Sequence, residues 1–289
     1  MANKKSYLHH MKCSKQLLYL FIASSSLLVF SFCKGEKPDE TTEETTTGTT
    51  NVIDNKQISA QNVFNSIPAR AEIVRLIGES KIDYDPSYLN NPDVAAKYSL
   101  ENSRALNLGV YGADLSVAGA FDQTQESMLF LKCVNILSKN LGVSTAFDQH
   151  MMDRMEAYKE NRDSTLEIIA QSFRKADEFL KQNDRPGTSA LILSGSWIEG
   201  MYVSVQIAQR INSENIIKTI LKQDESLKHL INMVEASNVS ADAKYVVDGL
   251  NDLKVSFDNA TKSKTYTIET IREISDKTNA LRKKVVETF

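Results

Sequence analysis

Beyond about residue 57, apolar positions recur at spacings of three and four, which predicts helices. Between Thr267 and Phe289, the positions Ile268, Ile271, Ile274, Thr278, Leu281 and Val285 form one stripe, the pattern of a helix laid against other helices. Ala243, Val246, Val247, Leu250, Leu253 and Phe257 repeat it one helix earlier. Ile216, Ile217, Ile220, Leu221, Leu227, Leu230, Ile231 and Val234 do so before that. No stretch alternates apolar and polar residues between hairpin turns, so no sheet is expected.

Start and stop signals divide these stretches. Ser164-Thr165-Leu166-Glu167 reads as a capping box and Asp85-Pro86 as a cap with proline in the first turn. Asn140-Leu141-Gly142 reads as a helix end, and Asp184-Arg185-Pro186-Gly187 as a turn between helices. The spacing predicts helices near 60–79, 94–119, 122–140, 145–160, 164–183, 188–211, 214–236, 241–258 and 266–288. The expected fold class is all-α, with one domain over 57–289. It is a bundle of about eight or nine helices or a stack of antiparallel helical hairpins, because the joining loops are short.

Two of these helices differ from the rest. Between Ala105 and Phe121 the only charged residue is Asp114, and between Gly187 and Gln209 the only one is Glu199. Helices apolar nearly all round belong at the centre of a fold. Both are rich in small residues, among them Gly109, Gly112, Gly195 and Gly200. A glycine inside a helix costs about 1 kcal/mol relative to alanine, so several imply close helix contact or room for a ligand. Gly109-Val-Tyr-Gly-Ala-Asp and Gly195-Ser-Trp-Ile-Glu share a spacing of glycine, aromatic and acid, with the two glycines 86 residues apart; internal duplication and chance likeness both remain open.

A carboxylate in such a helix is costly to bury unless it is paired or protonated. Two readings follow. Either Asp114 and Glu199 each cap a neighbouring helix or pair with an arginine from another, or they line a ligand pocket with Tyr111, Trp197 and Tyr202. Tyr111 shares a helix face with Asp114, and Tyr202 shares one with Glu199.

The first 32 residues contain Lys4, Lys5, Lys12 and Lys15 and no acid, and include an apolar run from Leu17 to Phe32 interrupted by the three serines 24–26 and by Ser31. The run is short for a bilayer span, which needs about 20 residues, so 1–32 reads as an export signal rather than a transmembrane anchor. Met11 begins a second, more compact leader. The run ends in Phe30-Ser31-Phe32-Cys33 and resembles a bacterial lipobox, whose cysteine is diacylated and becomes the new N-terminus. Phe32 stands where a small residue normally precedes the cysteine, a departure that the looser lipoboxes of Bacteroidota-type lipoproteins accommodate. The stretch 33–56 is rich in Thr and Glu and poor in apolar residues, so it reads as a disordered tether behind a lipidated Cys33.

Charge and cysteine content narrow the chemistry. The remainder after residue 32 holds 30 basic and 37 acidic residues, a charge of −7. An acidic body without a long Lys/Arg run argues against nucleic acid and against peripheral binding to anionic lipid. Cys133 is the only cysteine beyond Cys33 and reads as a buried small apolar side chain rather than a nucleophile. Two histidines, His150 and His229, lie beyond the leader, with no Glu-x-x-His or His-x-x-Glu, so neither a di-iron bundle nor an imelysin-like protein is expected. Asp148, His150 and Asp153 are the best candidates for a metal, but Asp148 and His150 do not share a helix face; no metal and no cofactor are expected. Phosphate loops, nucleophile elbows and Cys/His pairs are absent from the sequence.

Tyr111-Gly-Ala-Asp-Leu and Trp197-Ile-Glu-Gly-Met-Tyr202, behind a lipobox and a Thr-rich spacer, resemble a group of all-helical lipoproteins of Bacteroidota-type bacteria. The resemblance implies a helical fold and a place in the cell envelope, lipid-anchored at the outer membrane and facing the periplasm or the surface. It implies no catalytic role. The expectation is a non-enzymatic interaction or scaffold module, held to the membrane by acyl chains such as palmitate on Cys33 and docking an envelope protein. The alternatives are a small-molecule binder with its pocket between the central helices and an enzyme of unfamiliar type.

Overall fold

The computed structural model describes residues 82–289. The export signal, Cys33, the tether, the domain start at 57 and the helix expected at 60–79 lie outside the described residues. Among those described there are nine α-helices and no strand, so the chain is all-α. The helices are α1 (Glu101–Ala120), α2 (Thr124–Leu141), α3 (Gln149–Ala157), α4 (Arg162–Gln182), α5 (Pro186–Ile211), α6 (Glu214–Leu221), α7 (Asp224–Ala236), α8 (Lys244–Lys262) and α9 (Arg272–Glu287).

Helix ends are set by local side chains, and several differ from the sequence expectation. The first described helix begins at Glu101 rather than near 94. Pro92–Lys97 is a separate 3-10 turn capped by Asn91, and Leu100 is extended. The break follows from Tyr98, which is buried with its hydroxyl donating to the Val286 carbonyl at 3.0 Å. Asn161, not Ser164, caps α4; its side-chain oxygen accepts from the Ser164 amide at 2.9 Å. The helix expected over 214–236 breaks at Lys222 and Gln223, where the buried Gln223 side chain reaches back to the Thr219 carbonyl and receives Ser226 Oγ. The last helix begins at Arg272, because Thr265, Thr267 and Thr270 bond one another in the preceding turn. Other signals hold: Asp85 accepts from the Ser87 amide, and Gly142 ends α2 in a left-handed conformation, φ 74°.

The two apolar helices form the centre. Of the 20 residues of α1, 15 are buried, as are 17 of the 26 in α5. They lie side by side and run the same way: Glu101 bonds Arg185 and Thr188 at one end, and Asp114 reaches Glu199 further along. Two pairs of helices adjacent in sequence, α1 with α2 and α8 with α9, pack antiparallel. Tyr111 of α1 meets Phe130 of α2, and Gly249 of α8 meets Leu281 of α9.

Gly109 and Gly195 make the central approach possible. A β-carbon on Gly109 would overlap the Ile192 carbonyl oxygen, and one on Gly195 would overlap the Leu106 carbonyl oxygen. The obstacles are backbone, so no side-chain rotation relieves them. Gly109 and Gly195 are 86 residues apart, and so are Leu106 and Ile192, so the two contacts are related as the two halves of a two-fold crossing.

Candidate functional site

The level of α1 and α5 beyond the glycine crossing carries Asp114 and Glu199, both fully buried. Two carboxylates side by side in an apolar core need a cation, and α9 supplies it. Running antiparallel to α5, α9 brings Arg282 onto Glu199 as a fork: Nε donates to Oε2 and Nη2 to Oε1, each at 2.9 Å. This bidentate geometry matches the planar guanidinium to the carboxylate. The guanidinium carbon lies 4.2 Å from the centre of the Tyr202 ring, so the tyrosine covers the outer side of the pair. Burial works against the Arg282 charge, but the Glu199 and Asp114 carboxylates outweigh it and raise its pKa.

Asp114 is held differently. Its Oδ2 accepts the Asn90 backbone amide at 3.1 Å, while Oδ1 is buried with no hydrogen-bond donor aimed at it. Burial, and after it the Glu199 charge, push the Asp114 carboxyl well above the usual carboxylate range; Arg282 and the Asn90 amide pull the other way without reversing this. A protonated Asp114 converts Oδ1 from an orphaned acceptor into a donor, and the Glu199 carboxylate is within hydrogen-bonding reach. In that protonated form the cluster needs no cation beyond the single guanidinium of Arg282.

The residues before α1 close the cluster. Asn90 Nδ2 donates to the Tyr98 hydroxyl at 3.3 Å, and Tyr111 donates to the Asn91 carbonyl at 2.7 Å. Asn107 and Tyr98 donate to the Val285 and Val286 carbonyls at the end of α9. Burial raises the pKa of Tyr98, Tyr111 and Tyr202 alike, so all three serve as neutral hydroxyls.

Of the residues picked out from sequence, Asp114, Glu199 and Tyr202 meet in this cluster and Tyr111 stands at its edge. Trp197 does not join it. Its indole Nε1 donates to Ser226 Oγ at 3.0 Å and its ring packs on Phe257, on another face of α5. Arg282 and Asn90 were not singled out. Arg282 had a signal in the stripe of α9, since it lies four residues after Thr278 and three before Val285, on the margin of the apolar face. Asn90 reaches Asp114 through its backbone amide and left none.

The other candidates sit apart. Asp148 caps α3 by accepting the Met151 amide at 3.0 Å, and Asp153 accepts from Gln149 Nε2 at 2.8 Å. No cluster of three or more metal-ligating side chains occurs among the described residues. Cys133 is buried, with its thiol pushed up to about 12 by burial. Cavities open elsewhere: one of about 320 Å³ between α2, α3 and α4, and one of about 470 Å³ beside α6 and α8. Neither is lined by Asp114 or Glu199.

Comparison of the chain with family models, with curated proteins and with solved structures finds no match.

Proposed function

We propose that this chain is a lipid-anchored, non-enzymatic helical module of the cell envelope that works by interaction. The observation that carries the non-catalytic part is the fork between Arg282 and Glu199. A carboxylate gripped at both oxygens and covered by Tyr202 is occupied within the fold, and its neighbour Asp114 is enclosed with it. Catalytic acids and bases must instead reach a substrate proton. The location part rests on the leader and on Cys33.

Fractionation of cells carrying the native chain or Cys33→Ser tests the anchor. The native chain belongs in the membrane fraction, labelled by palmitate, and the variant in the soluble fraction without label. Membrane association unchanged by the substitution overturns the reading. Glu199→Gln with Arg282→Met tests the non-catalytic part: a double variant that stays folded should retain the native phenotype.

A further inference from the structure

The pocket of about 470 Å³ at the ends of α6 and α8 is unlike the rest of this acidic chain. Three lysines line it, Lys218, Lys222 and Lys264, with no carboxylate among the lining residues. Leu221 and Ala260 supply an apolar floor, and the exposed ring of Tyr266 supplies a wall. Its volume falls within the range of small-molecule sites.

The charges in the pocket are not all spent internally. Glu214 takes Lys218 at 2.6 Å, and the same ammonium lies 4.7 Å from the centre of the Tyr266 ring. Lys222 and Lys264 make no ion pair among the described residues. The Asn215 side-chain amide, also at the rim, makes no hydrogen bond there. Two ammonium groups without a carboxylate partner match the charge of a phosphate monoester, about −1.5 to −2 at neutral pH.

Lysine near a helix C-terminus is ordinary, because it offsets the negative end of the helix dipole. That applies to Lys218 and Lys222 at the end of α6 and to Lys264, which follows the C-cap Ser263 of α8. Lys264 lies past the end of α8 in the left-handed conformation, φ 54°, which favours glycine or asparagine over a long side chain. Lys264 nonetheless puts a third ammonium on the pocket from this unfavourable backbone conformation.

We propose that this pocket binds a phosphate monoester of monosaccharide size, its phosphate held by Lys222 and Lys264 and its body against Tyr266. Lysine suits this as a point-charge partner for phosphate. The Tyr266 wall offers apolar surface to the C–H face of a sugar ring. The proposal does not depend on the interaction reading or on Cys33.

Calorimetric titration of the full chain with glucose 6-phosphate, with inorganic phosphate and with glucose tests it. The expected result is saturable binding of the hexose phosphate that weakens with salt, competition by inorganic phosphate and no binding of glucose. Lys222→Gln and Lys264→Gln should each weaken binding about tenfold or more. Lys264→Gly should weaken it as much while raising the melting temperature, which separates loss of affinity from loss of fold. Vesicles containing phosphatidic acid, mixed with a full chain carrying Cys33→Ser, distinguish a lipid headgroup from a free ligand. Lysine-dependent co-sedimentation assigns the phosphate to lipid. The proposal is overturned if no phosphate probe binds, or if binding is unchanged in the Lys222→Gln/Lys264→Gln double variant.

Discussion

Arg282 holds Glu199 by two hydrogen bonds of 2.9 Å from a helix 83 residues further along the chain. The acid is fully buried and the arginine side chain is 15% exposed. Removing one partner of a buried pair is costlier than removing both, because the survivor keeps its desolvation cost.

Arg282→Met should therefore destabilise by about 3–5 kcal/mol, measured by urea denaturation. Arg282→Lys should recover only part, since an ammonium offers no fork. In the double variant Glu199→Gln/Arg282→Met, the loss should be smaller than for Arg282→Met alone. Additive losses would remove the pair from its central role.

Asp114 sets a pH dependence. Its carboxyl is raised in the folded state above the ordinary value of 3.8, so between that value and its folded pKa the native chain binds more protons than the unfolded one. Stability from this group is complete below about pH 4 and falls as pH rises through the folded pKa. Asp114→Asn keeps a carbonyl for the Asn90 amide and an N–H for Glu199 but does not titrate. Denaturation across pH 5–8 should show the variant gaining on the native chain as pH rises; parallel curves would mean that Asp114 is ionised in the fold.

Gly109→Ala and Gly195→Ala should each cost about 3 kcal/mol or more, at the upper end of overpacking. Helix propensity alone predicts the reverse, a gain of about 1 kcal/mol. Melting temperatures decide the sign, and an unchanged or raised value in both variants would mean that the central helices separate easily.

Trp197→Ala should destabilise by about 3–5 kcal/mol, because the indole is buried against Phe257. Trp197→Phe should cost less, since Ser226 Oγ keeps its bond to the Gln223 carbonyl at 3.0 Å. A Trp197→Ala chain that melts like the native one would place the ring outside the core.

The scarcity of charge made α1 and α5 legible as the central helices, because each carries a single charge in a long apolar stretch. It could not supply their relative direction, which depends on a connection through α2, α3 and α4. Of the two readings of the buried acids, sequence offered a pairing with arginine but not which arginine, since Glu199 and Arg282 meet only through the antiparallel packing of α5 and α9. The breaks at Tyr98 and Gln223 were hidden for a related reason. Both depend on tertiary bonds or on a side chain competing for backbone partners, and neither changes the apolar stripe.

The separation between Glu199 and its guanidinium also governs the order in which the chain can settle. During synthesis α1 and α5 are complete well before Arg282 has been added, so the inner helices can form early but their acids have no cation to neutralise them. Until α9 arrives those acids must stay hydrated or carry extra protons, and the nascent centre cannot dry out. A fragment ending before residue 272 lacks that cation and should remain loose and water-filled at the level of Glu199.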